Sequence, residues 1–322
     1  MSRWFSDYQS GGAFLDDNDR SVVCLGNFDG VHRGHRSILM RALDEAKRRR
    51  FKSIVFTFSP HPTKILKAGE GGVDLLLNPE EKKELLDMVG FDVVINQRFD
   101  RDFTLITAEN FAGKILRKDL KCAAVVVGDN FHFGYRAQGN AQLLSSLKIF
   151  DVFAAEAISD STGQAISSTR IRQAVSGGHV EIAEELLGYP YFISGRVVHG
   201  DGRGKTLGFP TLNVSFQKEC VPSFGVYAAF VRCKDVVHHA FPAAVNWGMR
   251  PTVDGSSPTL EAHLLNESGN FYGKDVRVFF KKKIREEMKF ESVEDLKTQI
   301  ALDLEAVRKE LHGQNEPLTM LI

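Results

Sequence analysis

The chain has 322 residues, more than one domain ordinarily holds, so two hydrophobic cores are expected. Lysine plus arginine equals aspartate plus glutamate at 41 each, which removes the electrostatic case for nucleic acid or an anionic membrane as partner and favours small polar substrates. Cys24, Cys122, Cys220 and Cys233 form no C-x-x-C pair, and no segment reaches membrane-spanning length. Residues 1–19 carry four aspartates and no apolar signal stretch, so the expectation is a cytoplasmic protein with reduced thiols and a solvated leading extension.

In the first half, short β-branched runs alternate with helical patterns. Ser21–Gly26, Ser53–Phe58, Asp92–Ile95 and Ala123–Val127 read as buried strands; Arg33–Arg50, Pro79–Val89, Ala108–Lys118 and Ala141–Leu147 read as helices. That order predicts an α/β domain, a parallel sheet with helices. Two short helices follow, Ser168–Val175 and Val180–Leu187, closed by Gly177 and Gly188, and Pro190 ends helical structure. From Tyr191 the texture becomes antiparallel β, with runs at Tyr191–Val198, Gly225–Arg232, Thr259–Leu265 and Val276–Phe280 that predict a small barrel. A helix over Ser292–Leu311, with Leu296, Ile300, Leu304 and Val307 on one stripe, closes it.

The strongest local signal is Gly26-Asn27-Phe28-Asp29-Gly30-Val31-His32-Arg33-Gly34-His35, which leaves a strand, turns on glycines and enters a helix. Backbone N–H groups and the positive end of the helix dipole converge at such a junction, and His32 and His35 can both donate to polyphosphate oxygens. Gly34 allows close backbone approach to a nucleotide. Taken alone, the pair is also compatible with two surface histidines of a first helical turn. Ile166-Ser167-Ser168-Thr169-Arg170-Ile171-Arg172 is a second hydroxyl-rich helix entry, where Ser168 or Thr169 can cap and Arg172, or Arg170, supplies a permanent charge for phosphate. The segments around His61 and around Asn130, Phe131 and Phe133 each follow a strand, and ligands of open parallel sheets sit at such ends.

The second cluster, from His199 through Gly202, Gly204 and Lys205 to Pro210-Thr211-Leu212-Asn213, contains G-K-T but lacks Walker spacing, because His199 stands where the first glycine belongs. A glycine-rich loop remains, able to wrap phosphates with its amides while Thr211 and Asn213 offer hard oxygen donors for a magnesium ion. A hairpin loop followed by an edge strand is the alternative.

The ordered set F-D-G-V-H-x-G-H, T-F-x-P-H-P, G-x-x-F-x-F-G and S-S-T-x-I-R resembles the nucleotidyltransferase module of bacterial bifunctional riboflavin kinase/FAD synthetases. The second half is similar to their kinase module through the Gly202–Asn213 segment, Leu260-Glu261-Ala262-His263 and Arg285-Glu286-Glu287-Met288-Lys289-Phe290. The resemblance implies phosphorylation of riboflavin to FMN and adenylylation of FMN to FAD, with ATP and Mg2+, by a Rossmann-like domain (1–187) and a riboflavin-kinase β-barrel domain (190–322). It implies catalytic roles for His32, His35, Arg172 and Glu261, the last as proton acceptor. ATP or flavin contacts are implied at Gly26, Asn27, Phe28, Asp29, Gly34, His61, Asn130, Ser168 and Thr169 in the first domain, and at Gly202, Gly204, Lys205, Thr211, Asn213 and Arg285 in the second. Three residues depart from the family pattern: Arg136 comes one place early and is not assigned to the site, while Leu212 and Trp247 are bulkier than usual.

Overall fold

The computed structural model describes residues 2–314 except 68–71, 201, 236–238, 253–254, 266 and 268; side chains at 203, 205, 250–252 and 255–257 are likewise outside the described set. The chain divides into two compact units, Met1–Ser168 and Thr169–Ile322.

In the first unit six strands make one sheet: β1 (Arg3–Phe5), β2 (Ser21–Leu25), β3 (Lys52–Ser59), β4 (Val93–Arg98), β5 (Cys122–Gly128) and β6 (Asp151–Ala155). Their order is β1-β4-β3-β2-β5-β6, and every pairing is parallel. β2 and β5 are apolar almost without interruption, as strands covered on both faces must be. The crossover helices carry their own punctuation. Pro79–Val89 opens with a capping box, in which the Asn78 side chain accepts from Glu81 N at 2.8 Å and Glu81 accepts from Asn78 N at 3.0 Å. It ends at Gly90 in the left-handed conformation.

Two expectations need correction. Residues 2–19 are structured: β1 joins the sheet edge, Trp4 Nε1 donates to Asp87 at 2.6 Å, and a helix, Tyr8–Ala13, is capped by Asp7. The physical reason is the glycine pair in that helix. A Cβ at Gly11 would lie 2.7 Å from Ile95, and one at Gly12 would lie 2.5 Å from the Asp119 carbonyl, so the helix seats by contact of bare backbone and leaves no apolar stripe to read. The helix expected at Ala108–Lys118 is α only to Asn110, and Phe111–Asp119 is a π-helix. Its wider turn, carried on by Leu120 N donating to Ile115 O at 2.9 Å, brings Ile115 and Leu120 into the core together.

The second unit is a closed barrel of β7 (Phe192–Val198), β8 (Leu212–Phe216), β9 (Gly225–Cys233), β10 (Phe241–Thr252), β11 (Gly255–Leu264) and β12 (Asp275–Arg285). The strands run β10-β11-β8-β7-β12-β9, all antiparallel. Trp247 fills its interior, with the indole N–H held by the Pro222 carbonyl at 2.8 Å. The bulk noted at this position thus serves the core. The closing helix, Val293–Leu311, is capped by Ser292 and buries Leu304, Val307 and Leu311. Helix Val180–Leu187, placed in the first domain by the sequence boundary, packs on β12 and is tied there by Lys281 to Glu184 at 2.6 Å. All four cysteines are free and buried.

Arg285, expected at the ligand, is engaged within the barrel. Its guanidinium donates through Nε and Nη2 to both Asp303 oxygens at 2.8 to 3.1 Å, and Nη1 donates to the Glu286 carbonyl at 2.8 Å. The pair is largely buried, so the residue fastens the closing helix to β12. Asp303→Ala strands this cation and is expected to cost about 3 kcal/mol of barrel stability. Urea unfolding followed by Trp247 emission in a Trp4→Phe background measures it; an unchanged midpoint would show that the pair is solvated and weak.

Candidate active sites

The sheet order reverses at β2: β3 lies on one side and β5 on the other, so the crevice outside their carboxyl ends is the topological switch point. Gly26–Asp29 leaves β2 there, and Asp129 and Asn130 leave β5. The turn after β2 is unusually left-handed, with φ of 51° at Phe28, 88° at Gly30 and 36° at Val31. Strain in bulky residues persists only where surroundings enforce it. Here the enforcement is visible, because Phe28 is fully buried and a Cβ at Gly26 would stand 2.7 Å from its ring.

The turn delivers His32 to the N-cap of helix Arg33–Arg49. His32 Nδ1 accepts from the His35 backbone N–H at 3.2 Å, which fixes the neutral tautomer with its proton on Nε2, a donor. The His32 and His35 rings stack at 3.6 Å, and a Cβ at Gly34 would press on the His32 ring at 3.1 Å. The expected imidazole pair at a helix start is therefore formed, one ring as cap and the other in the first turn.

Asp29 sits behind this face. Its buried carboxylate accepts from the backbone N–H groups of Leu76 and Leu77 at 3.1 to 3.3 Å, and its carbonyl accepts from Ser168 Oγ at 2.9 Å. Both residues, expected at the ligand, thus hold the turn closed. Nearby, Thr57 Oγ1 donates to the Asn27 carbonyl at 3.1 Å and accepts from Lys82 Nζ at 2.7 Å. His61 caps the helix Pro62–Leu66, its Nδ1 accepting from Thr63 N at 3.3 Å.

Beside the turn opens a cavity of about 280 Å³, walled by Phe58, Phe99, Phe103, Phe111, Phe131 and Phe133, with Asn27 and Asn130 among its polar lining. Phe131 and Phe133 stack at 5.9 Å. Arg136, left out by the sequence, also lines it, on a backbone where Arg136 and Ala137 both have positive φ. The early position of this arginine was the available signal. Thr169 and Arg172 lie on helix Ser168–Ser176 beyond the division between the units.

In the second unit the predicted loop contains a one-turn helix, Arg203–Leu207, before β8. Its glycines close on two polar side chains. A Cβ at Gly200 would lie 2.3 Å from Asn213 Nδ2, and one at Gly204 would lie 3.1 Å from Thr211 Oγ1. Gly202 takes φ 71° next to it. His263 Nδ1 bonds the Pro210 carbonyl at 2.8 Å and steadies the approach to Thr211. Strand register sets Glu261 directly opposite Asn213, so the two share a face, with Leu212 turned the other way opposite Ala262. Thr211, Asn213 and Glu261 make no side-chain hydrogen bond with the described residues. The Lys205 side chain lies outside the described residues. Among the described residues no group of three or more His, Cys, Asp or Glu could hold a metal ion, and Thr211 and Asn213 carry hard oxygen donors.

Residues 15–170 match the FAD synthetase family, and residues 187–311 match the riboflavin kinase family. The bifunctional riboflavin kinase/FMN adenylyltransferase of Escherichia coli K12 is 40% identical over 92% of this chain and 94% of its own; that of Haemophilus influenzae is 39% identical over 89% and 93%. The chain belongs to this bifunctional family. It is a transferase of flavin cofactor biosynthesis with a kinase and a nucleotidyltransferase domain. A Streptococcus pneumoniae crystal structure titled as a macrolide-efflux protein shares the fold, with TM-score 0.83 and 30% identity over 96% of this chain and 99% of that one. No helix among the described residues is long and apolar enough to cross a membrane.

Burial holds the part-buried Lys82 ammonium down to about 8, partly offset by the Asp29 carboxylate. Between that value and the ordinary lysine range the folded protein binds one proton fewer than the unfolded chain, so this position adds stability as pH rises. Wild type is therefore expected to gain on Lys82→Met between about pH 8 and about pH 10.5 in paired urea titrations. A constant difference would show that the lysine keeps its ordinary proton affinity.

Proposed function

We propose that the barrel, residues 190–322, phosphorylates riboflavin to FMN and that residues 1–187 join FMN to ATP, giving FAD and pyrophosphate. The supporting observation is the presence of two separate constellations, the stacked imidazoles at a helix start and the Thr211/Asn213/Glu261 group under a glycine cradle.

The two reactions ask different things of the protein. FMN brings an ionised phosphate oxygen that attacks the α-phosphorus of ATP, and the bond to pyrophosphate breaks, so no protein base is needed. His32 Nε2–H, His35 and the helix N-terminus stabilise charge on the departing pyrophosphate. The aromatic cavity is of a size and lining suited to the flat ring of a flavin, with its phosphate toward the imidazoles.

Riboflavin presents a neutral hydroxyl, which must lose its proton as it attacks the γ-phosphorus. Glu261 accepts that proton, and ADP leaves. Thr211 and Asn213 would hold Mg2+, which would neutralise charge on the phosphates. The Gly200 and Gly204 backbones bring loop amides against the same two side chains, where phosphates would lie. Four buried free thiols suit a reducing cytoplasm.

His32→Asn, which keeps a capping oxygen, combined with His35→Ala is expected to lower FAD formation from supplied FMN at least about 100-fold while riboflavin phosphorylation is unchanged. Glu261→Gln should do the converse. Chromatography of products from riboflavin or FMN with ATP and magnesium reads both; retention of FAD synthesis by the histidine double variant would refute the assignment.

A further inference from the structure

The barrel register extends the kinase constellation by one residue. Glu261 on β11 faces Asn213 on β8 and, on its other side, Asn246 on β10. Directly opposed residues of antiparallel strands point to the same face with Cβ atoms about 5 Å apart. Asn213, Glu261 and Asn246 therefore form one polar row on the barrel's outer face, alternating with the buried Leu260 and Ala262 and with the buried Val245 and Trp247.

The surroundings of the row are otherwise engaged. His263 bonds the Pro210 carbonyl, and the Glu287 carboxylate accepts from Met249 N at 3.2 Å while filling the space above Gly248, two residues along from Asn246. Past Asn246 the row runs into Val226, which is buried, and then Arg285, which is fixed to Asp303. Asn246 is exposed and makes no side-chain hydrogen bond with the described residues. An amide with two N–H donors thus stands next to a carboxylate whose acceptors are equally unengaged.

We infer that Asn246 is a positioning residue of the kinase reaction: when substrate is bound, its amide N–H donates to the Glu261 carboxylate beside it and holds it toward the substrate hydroxyl, opposite the Asn213 side. This rests on the reading of Glu261 as the proton acceptor. Asn246 aligns the acceptor and is not itself asked to bind ATP or the metal. Its loss should therefore act on turnover more than on substrate affinity, since a donor that orients a base matters most as the proton moves.

The test uses the full chain and four variants, Asn246→Ala, Asn246→Asp, Asn246→Ser and Glu261→Gln, with adenylylation of supplied FMN and Trp247 emission as checks on folding. Asn246→Ala is expected to lower kcat for riboflavin phosphorylation by about 10- to 100-fold, the worth of a hydrogen bond to a charged group, with KM for riboflavin within about twofold. Asn246→Asp has the same shape but cannot donate and places like charge beside Glu261, so it should fall below Asn246→Ala; Asn246→Ser, which keeps a donor, should recover part of the loss. Wild-type kcat in Asn246→Asp would overturn the inference, as would a loss in Asn246→Ala confined to KM. Full kinase activity in Glu261→Gln would instead overturn the assignment of the base.

Discussion

At Gly200 a Cβ would stand 2.3 Å from the Asn213 amide, and at Gly34 one would stand 3.1 Å from the His32 ring. The two units differ in architecture, yet each brings backbone against a polar side chain more tightly than a Cβ ordinarily sits. That approach matters because phosphate recognition draws on main-chain N–H groups, which serve only where no side chain stands between them and the ligand. The rest of each site is arranged around this clearance. In the first unit Phe28 takes a strained left-handed backbone so that its ring can lie over Gly26; in the second His263 holds the Pro210 carbonyl so that Thr211 stays beneath Gly204.

The folds supply such places differently. A parallel sheet aligns strand carboxyl ends along one edge and opens a crevice where the strand order reverses, which is where β2 and β5 release their loops. A closed antiparallel barrel has no such crevice. Its outer face must be covered or polar, and here one row of residues does both, with the closing helix over Val226 and Arg285 and the polar trio beyond its edge. The Arg285–Asp303 pair therefore sits at the border between the covered and open parts of the row and fixes how far the helix reaches.

Much of this was legible in the sequence where the physics is local. Strands β2 and β5 announce themselves as nearly continuous apolar runs, and the imidazole pair by glycine turns entering a helix. What stayed hidden depends on partners distant in the chain. β1 has three residues, and the helix after it packs through glycines, which carry no hydrophobic signal. β10 holds Pro242, Gly248 and Pro251, which interrupt a strand pattern until its neighbours supply the pairing, and only that register sets Asn246 beside Glu261. Arg285 looks the same in sequence whether it meets a phosphate or an aspartate in a later helix; only the fold brings Asp303 to it.

The placement of carboxylates separates the two chemistries. Asp29 lies inside the strongest motif of the first unit, but its oxygens are taken by the Leu76 and Leu77 amides, and the face that remains carries donors. A free carboxylate there would repel polyphosphate, and a nucleophile that is already an anion has no proton to give it. In the barrel the opposite holds. The Glu261 side chain makes no hydrogen bond with the described residues and stands beside Asn213, where the proposed reaction needs an acceptor for the hydroxyl proton. The same side-chain type is thus withdrawn behind the turn in one unit and presented on the open face in the other, a difference that the proposed roles would account for through the ionisation state of each incoming nucleophile.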